Sequence, residues 1–183
     1  MRRTSLLFVG MTLLGGCVDP APTSTRFLPQ SAPSLSSAAA AENRDLATLR
    51  AATAGFHQYE VAKNAGYTFL FMNMCMEDQS PARLGGMGKH YVNPALLDAS
   101  VDVGNPEALL YEAGPNGQLN LVGVEYVIPK DKWTSAEPPM LFGQQFTLNA
   151  FDLWALHVWA WKNNPSGLYA AWNPRVSCAN AAQ

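Results

Sequence analysis

Apolar and polar positions follow four successive patterns along the chain. Leu6 to Leu14 is an apolar run, preceded by Arg2 and Arg3 and followed by Gly15 and Gly16. A basic start, a short apolar run and small residues, in that order, form an export signal. The run is too short to span a bilayer as a stable helix. From Val18 to about Ala40, Pro, Ser, Thr and Ala dominate, a composition that cannot bury enough surface to offset the entropy of ordering, so the segment is expected to be a flexible tether. Between Ala41 and Ala65 the positions Leu46, Leu49, Thr53, Phe56 and Tyr59 recur at steps of three and four, with Glu42 and Asp45 in the opening turn and Gly66 as a stop. That spacing predicts an amphipathic helix.

Beyond Gly66 the period changes to that of strands, at 67–72, 90–92, 108–112, 119–128 and 153–161. The third and fourth flank the turn-former Gly114-Pro115-Asn116-Gly117 and read as a hairpin. The expected architecture is α+β: an N-terminal amphipathic helix packed on a single antiparallel β-sheet of about four to six strands, with long loops. The expected organisation is a signal peptide over 1–16, a lipidated cysteine and tether over 17–40, and one domain over 41–183.

Composition narrows the partners. A formal net charge of -2 with only 14% charged residues gives no basic face to hold a phosphate backbone, so nucleic acid is set aside. Five Trp, six Tyr and eight Phe equip the domain to bury a core.

Leu14-Gly15-Gly16-Cys17 resembles the lipobox of bacterial lipoproteins. The resemblance implies a diacylglyceryl group on the Cys17 thiol, with palmitate-type acyl chains, and cleavage ahead of it. Two or three chains make a stable membrane anchor. Val18, where an aspartate would retain such a protein at the inner membrane, implies the outer membrane, facing the periplasm. If Cys17 carries lipid, Cys75 and Cys178 remain, and an even pair in an oxidising compartment suggests a disulfide. Two free thiols or a thiolate metal site is the competing reading, which lacks the Cys-x-x-Cys spacing of metal clips.

Chemistry concentrates where single ionisable residues sit inside apolar surroundings. By the period of two, Leu121, Gly123, Glu125 and Val127 share one strand face, opposite Val122, Val124, Tyr126 and Ile128. His157 shares a face with Ala155, Trp159 and Trp161. A carboxylate in mid-strand is costly to desolvate without a partner; the candidates for Glu125 are His90, His157, Lys89 and Arg175. Glu125 with His90 and His157 would supply the imidazole and carboxylate ligand set that suits zinc or iron. Glu107 and Glu112 are weaker additional candidates for the same pocket. The competing reading is a set of buried groups that hydrogen-bond one another and the neighbouring backbone and fix the sheet, favoured by the lack of either His-x-His or His-Glu-x-x-His spacing. Gly85 to Gly88 lacks a phosphate-loop context and reads as a tight turn before His90, Ser166 and Ser177 lack a nucleophile elbow, and His57 reads as a surface residue.

Several blocks recur together: Ala65-Gly66-Tyr67, Cys75-Met76-Glu77, Met87-Gly88-Lys89-His90-Tyr91, Pro106 to Glu112, Val124-Glu125-Tyr126, Leu141-Phe142-Gly143, His157-Val158-Trp159 and Trp172 to Cys178. In this order they resemble a family of uncharacterised bacterial exported proteins, over about residues 45 to 178. The resemblance implies a coherent exported domain and carries no reaction. The expected function is therefore an envelope lipoprotein that binds a small ligand or another envelope protein. The alternatives are a metal-dependent enzyme or metal-binding protein using the His/Glu pocket, and a structural accessory subunit.

Overall fold

The computed structural model describes residues 34–181. The leader, Cys17 and most of the tether lie outside the described residues. Helix α1 spans Ser34–Thr53, a 3-10 turn spans Ala54–His57 and helix α2 spans Tyr59–Asn64. Eight strands follow: β1 Phe69–Glu77, β2 Gly86–Val92, β3 Ala108–Ala113, β4 Leu119–Pro129, β5 Met140–Leu141, β6 Gln144–Gln145, β7 Thr147–Leu148 and β8 Leu153–Val158. Six form an antiparallel sheet in the order β1-β2-β3-β4-β8-β7, and β5 and β6 form a separate small hairpin. Among the described residues no helix is long and apolar enough to cross a membrane.

Helix α1 begins inside the stretch read as tether, because Ala38 to Ala41 is a run of the best helix former. It also ends earlier than the apolar spacing predicts. Thr53 turns its hydroxyl back onto the Leu49 carbonyl at 2.8 Å, and Gly55 follows, both unfavourable to continuing a helix. The stop at Gly66 is as expected: its φ is 102°, and Gly66 N and Tyr67 N donate to the carbonyls of Lys63 and Ala62, each at 3.1 Å. Leu46, Leu49 and Thr53, one stripe of α1, are buried.

The hairpin β3–β4 forms around Gly117, and its pairing contains a bulge. Leu110 pairs with Gly123, but Tyr111 pairs with Leu121, so Val122 is the extra residue. The slip exchanges the expected faces of two residues. Leu121 joins Val124, Tyr126 and Ile128 in the core, whereas Val122 packs with Leu110, Trp159 and Val176. Because β8 ends at Val158, Trp161 also leaves the face expected for it; its indole donates to Thr53 Oγ1 at 3.1 Å.

One face of the sheet is therefore the main core. Leu109, Tyr111, Val124, Tyr126, Leu156 and Val158 pack there with Leu46 and Leu49 of α1. The Gly-rich stretch before His90 runs as strand rather than turn. Gly85, at φ 108°, lies where a Cβ would stand 2.2 Å from the Asn173 carbonyl oxygen, and Gly88, at φ 88°, where it would stand 2.5 Å from the Tyr111 carbonyl oxygen. Gly86 and Asn173 exchange backbone hydrogen bonds of 3.1 and 3.0 Å, seating the C-terminal segment on β2. A disulfide joins Cys75 of β1 to Cys178 across a sequence separation of 103 residues. In the chain-entropy model a loop of about 100 residues gives up to about 4 to 5 kcal/mol.

Candidate metal centre

The second face of the sheet carries the ionisable residues. Val92, Ala108, Glu125 and His157 form one row across β2, β3, β4 and β8, and His90 stands two residues from Val92 on the same face. Leu110 is the β3 residue paired with His90, while Ala108, the β3 residue in the row of Glu125, presents only a methyl group. That leaves space for the imidazole to reach across β3.

His90 Nε2 lies 3.5 Å from Glu125 Oε2, and His157 Nε2 lies 3.6 Å from Glu125 Oε1. One donor atom from each of the three residues falls within 4.8 Å of the others. The two imidazoles meet edge to face, with centroids 5.9 Å apart and planes at 88°. All three residues are buried, at 3%, 8% and 7% exposure for His90, Glu125 and His157.

These separations exceed the roughly 2.7 to 3.2 Å of an N–H···O hydrogen bond. Two atoms bonded to one ion at about 2.0 to 2.2 Å and a tetrahedral angle stand about 3.3 to 3.6 Å apart. Among the described residues, His90 Nδ1 and His157 Nε2 are the buried side-chain nitrogens and oxygens that lack a hydrogen-bond partner. A buried polar atom without a partner costs about 1 to 3 kcal/mol. The unpartnered His157 Nε2 faces Glu125 directly, whereas on His90 the nitrogen facing Glu125 is Nε2 and the unpartnered one is Nδ1. Two neutral imidazoles converging on one carboxylate form a donor set that suits a divalent transition ion.

The electrostatics follow from burial. Desolvation pushes Glu125 up to about 8, assisted by the charge of Glu107. It pushes His90 down to about 4, against a smaller opposing pull from the Gly88 backbone, and His157 down to about 3, with the His90 charge adding to the effect. Without a cation the three groups are most stable uncharged. A cation reverses this by stabilising the Glu125 carboxylate.

Glu107 and Glu112 stand apart from this cluster. Glu107 is buried, and its carboxylate accepts from Val127 N at 2.9 Å; its neighbours by alternation are Leu109 and Tyr111 of the core face. Glu112 is ion-paired with Lys162 and accepts from Ser177 N at 2.9 Å. Lys89, next to His90 in β2, belongs to the opposite face. His57 is exposed and meets Trp161 edge to face at 4.4 Å.

The triad forms part of the wall of a cavity of about 580 Å³. The sequence pointed to a pocket at the triad but not to its extent, because its walls come from β1, β2, β4, β8, the residues of 144–151 and the C-terminal segment. Sheet curl closes it. Phe71 of edge strand β1 and Phe151, in the turn between β7 and β8 at the other edge, meet at 5.2 Å with planes at 89°.

No family model matches the chain, and no curated protein or solved structure was found to be similar to it.

Proposed function

We propose that this chain is an envelope lipoprotein that binds one divalent transition ion, zinc or iron, through His90, Glu125 and His157, and uses it to hold a small ligand. The observation that carries the reading is the convergence of two buried imidazoles on one buried carboxylate, His90 Nε2 at 3.5 Å from Glu125 Oε2 and His157 Nε2 at 3.6 Å from Oε1, too long for hydrogen bonds and with one ligand atom from each residue within 4.8 Å of the others. Three protein ligands leave a coordination position for an exogenous group, as in catalytic rather than structural zinc sites. Bound there, the ion supplies Lewis acidity; the chain supplies orientation, and its apolar walls exclude water. The lipobox at Cys17 supports an acyl anchor in the outer membrane on the periplasmic side, which leaves the domain to meet ligands of that compartment.

Elemental analysis of the full chain, purified from the periplasmic face without chelator, tests the reading beside a His90→Ala, His157→Ala double variant. About one equivalent of zinc or iron in the wild type and none in the folded variant is the expected result. Absence of metal from both, together with equal thermal stability, would leave the buried groups as structural.

A further inference from the structure

The cavity over the triad has a composition that selects its occupant. Its wall is dominated by Phe69, Phe71, Met76, Met87, Phe151 and Trp172, and the polar side chains beyond the triad and Tyr169 are the neutral Gln144, Gln145, Thr147 and Asn149. No Lys, Arg or Asp is among the lining residues. Glu125 is the one fully ionisable carboxyl in the wall, and no wall residue other than the two buried imidazoles could become a cation.

Charge counting then fixes where an anion can sit. Two neutral imidazoles and one carboxylate leave a divalent ion with a residual charge of about +1, inside a wall that screens poorly. The ion is the one full positive charge available to a negative group, and the apolar wall rewards the rest of a hydrophobic molecule. A volume of about 580 Å³ lies within the roughly 300 to 1,000 Å³ of pockets that enclose a small organic ligand.

The rim adds a second indication. Phe69 and Phe151 are 52% and 47% exposed, an apolar surface left in water at the mouth of the cavity. The backbone that presents the closing pair Phe71 and Phe151 is held in an unusual conformation on both sides. Met72 and Asn73, which follow Phe71, have φ of 53° and 52°, and Asp152, which follows Phe151, has φ of 57°. Of these, Met72 is the side chain for which left-handed backbone is costly, since Asn and Asp adopt it readily, and Arg83 and Phe142 share it away from the cavity.

We infer that the cavity takes a hydrophobic aromatic anion, whose carboxylate or phenolate oxygen donates a lone pair to the metal and whose ring lies between the triad and the Phe71–Phe151 pair. This inference rests on the metal-binding reading above. It extends that reading by naming the ligand class and the residues that receive the apolar part.

Cobalt(II) loaded into the full chain gives a visible spectrum that reports the fourth ligand, and 1-naphthoate and its neutral isostere 1-naphthamide serve as probes. The expected result is that 1-naphthoate shifts the cobalt bands and binds at least ten times more tightly than 1-naphthamide or acetate. In the metal-free chain the preference for the anion disappears. Phe151→Ala weakens 1-naphthoate at least fivefold and leaves cobalt affinity unchanged. Cobalt uptake with 1-naphthoate no tighter than acetate, or no tighter than 1-naphthamide, overturns the inference alone. Failure to take up cobalt overturns the metal reading and this inference with it.

Discussion

On the helix side of the sheet, three buried tyrosines each donate a hydroxyl hydrogen to a backbone carbonyl: Tyr67 to Pro106 at 2.8 Å, Tyr111 to Phe56 at 2.6 Å and Tyr126 to Val103 at 2.7 Å. On the cavity side, one and two strands away, His90 Nδ1 and His157 Nε2 have no hydrogen-bond partner among the described residues. Both sets of groups are buried in the same domain, and the same desolvation cost applies to each. The tyrosines recover it by tying the 3-10 turn and the 103–106 loop to the sheet. The histidine nitrogens do not recover it through hydrogen bonds, and the proposed ligand role of the second face rests on that contrast.

The largest expected difference between the faces is in packing. Leu109→Ala, in the core face, should cost about 2 to 5 kcal/mol in chemical denaturation. His157→Leu, on the other face, should leave the metal-free chain as stable as before or more so, because it removes an unsatisfied buried nitrogen. A loss of several kcal/mol in His157→Leu would break the comparison.

Next in size is the effect on metal. Ala108→Leu fills the gap between the His90 strand and Glu125, so it should lower zinc affinity by at least about tenfold and cost about 1 to 3 kcal/mol by overpacking, read by competition with a chromophoric chelator and by urea denaturation. Unchanged zinc affinity would show that His90 does not reach across β3. Tyr126→Phe is the matching test on the core face. It leaves the Val103 carbonyl without its donor, with an expected cost of about 1 kcal/mol and no change in zinc affinity.

These contrasts also show what could be read from the chain alone. His90, Glu125 and His157 stood out because each is a lone ionisable residue among apolar ones, and Gly114-Pro115-Asn116-Gly117 announced its hairpin by local turn chemistry. Glu107 and Glu112 met the same test of position, yet their partners, Val127 N and Lys162, come from 20 and 50 residues away. Local pattern contains no such information. The exchange of Leu121 and Val122 depends on a bulge fixed by the pairing with β3, which the period of two cannot foresee. Strands of two residues, such as β5, β6 and β7, are too short to show a period. The far wall of the cavity was hidden for the same reason as the Phe71–Phe151 contact: it arises from sheet curl, which brings together edges 80 residues apart in sequence.

The remaining contrast is in the pH dependence of the metal-free chain. Burial lowers His90 and His157 from 6.5 to about 4 and about 3, so below about pH 6.5 the unfolded chain takes up protons that the folded chain refuses, and stability falls as pH drops. Glu125, raised to about 8, and Glu107, raised to about 7, act oppositely: the folded chain keeps protons that the unfolded chain releases above about 4.5, so stability falls as pH rises toward 8. Thermal melts of the metal-free chain should peak between about pH 5 and 6.5. Saturating zinc should remove the part of the alkaline decline due to Glu125. A metal-free profile that climbs steadily to pH 8 would contradict the buried, uncharged triad.

The metal assignment to His90, Glu125 and His157 meets its sharpest test in X-ray absorption at the zinc edge on the full chain loaded with one equivalent of zinc. It predicts a shell of nitrogen and oxygen alone at about 2.0 to 2.1 Å, with outer scattering from two imidazoles, and loss of that spectrum in His157→Ala. A sulfur shell near 2.3 Å, or an unchanged spectrum in His157→Ala, would place the ion elsewhere and contradict the assignment of His90, Glu125 and His157.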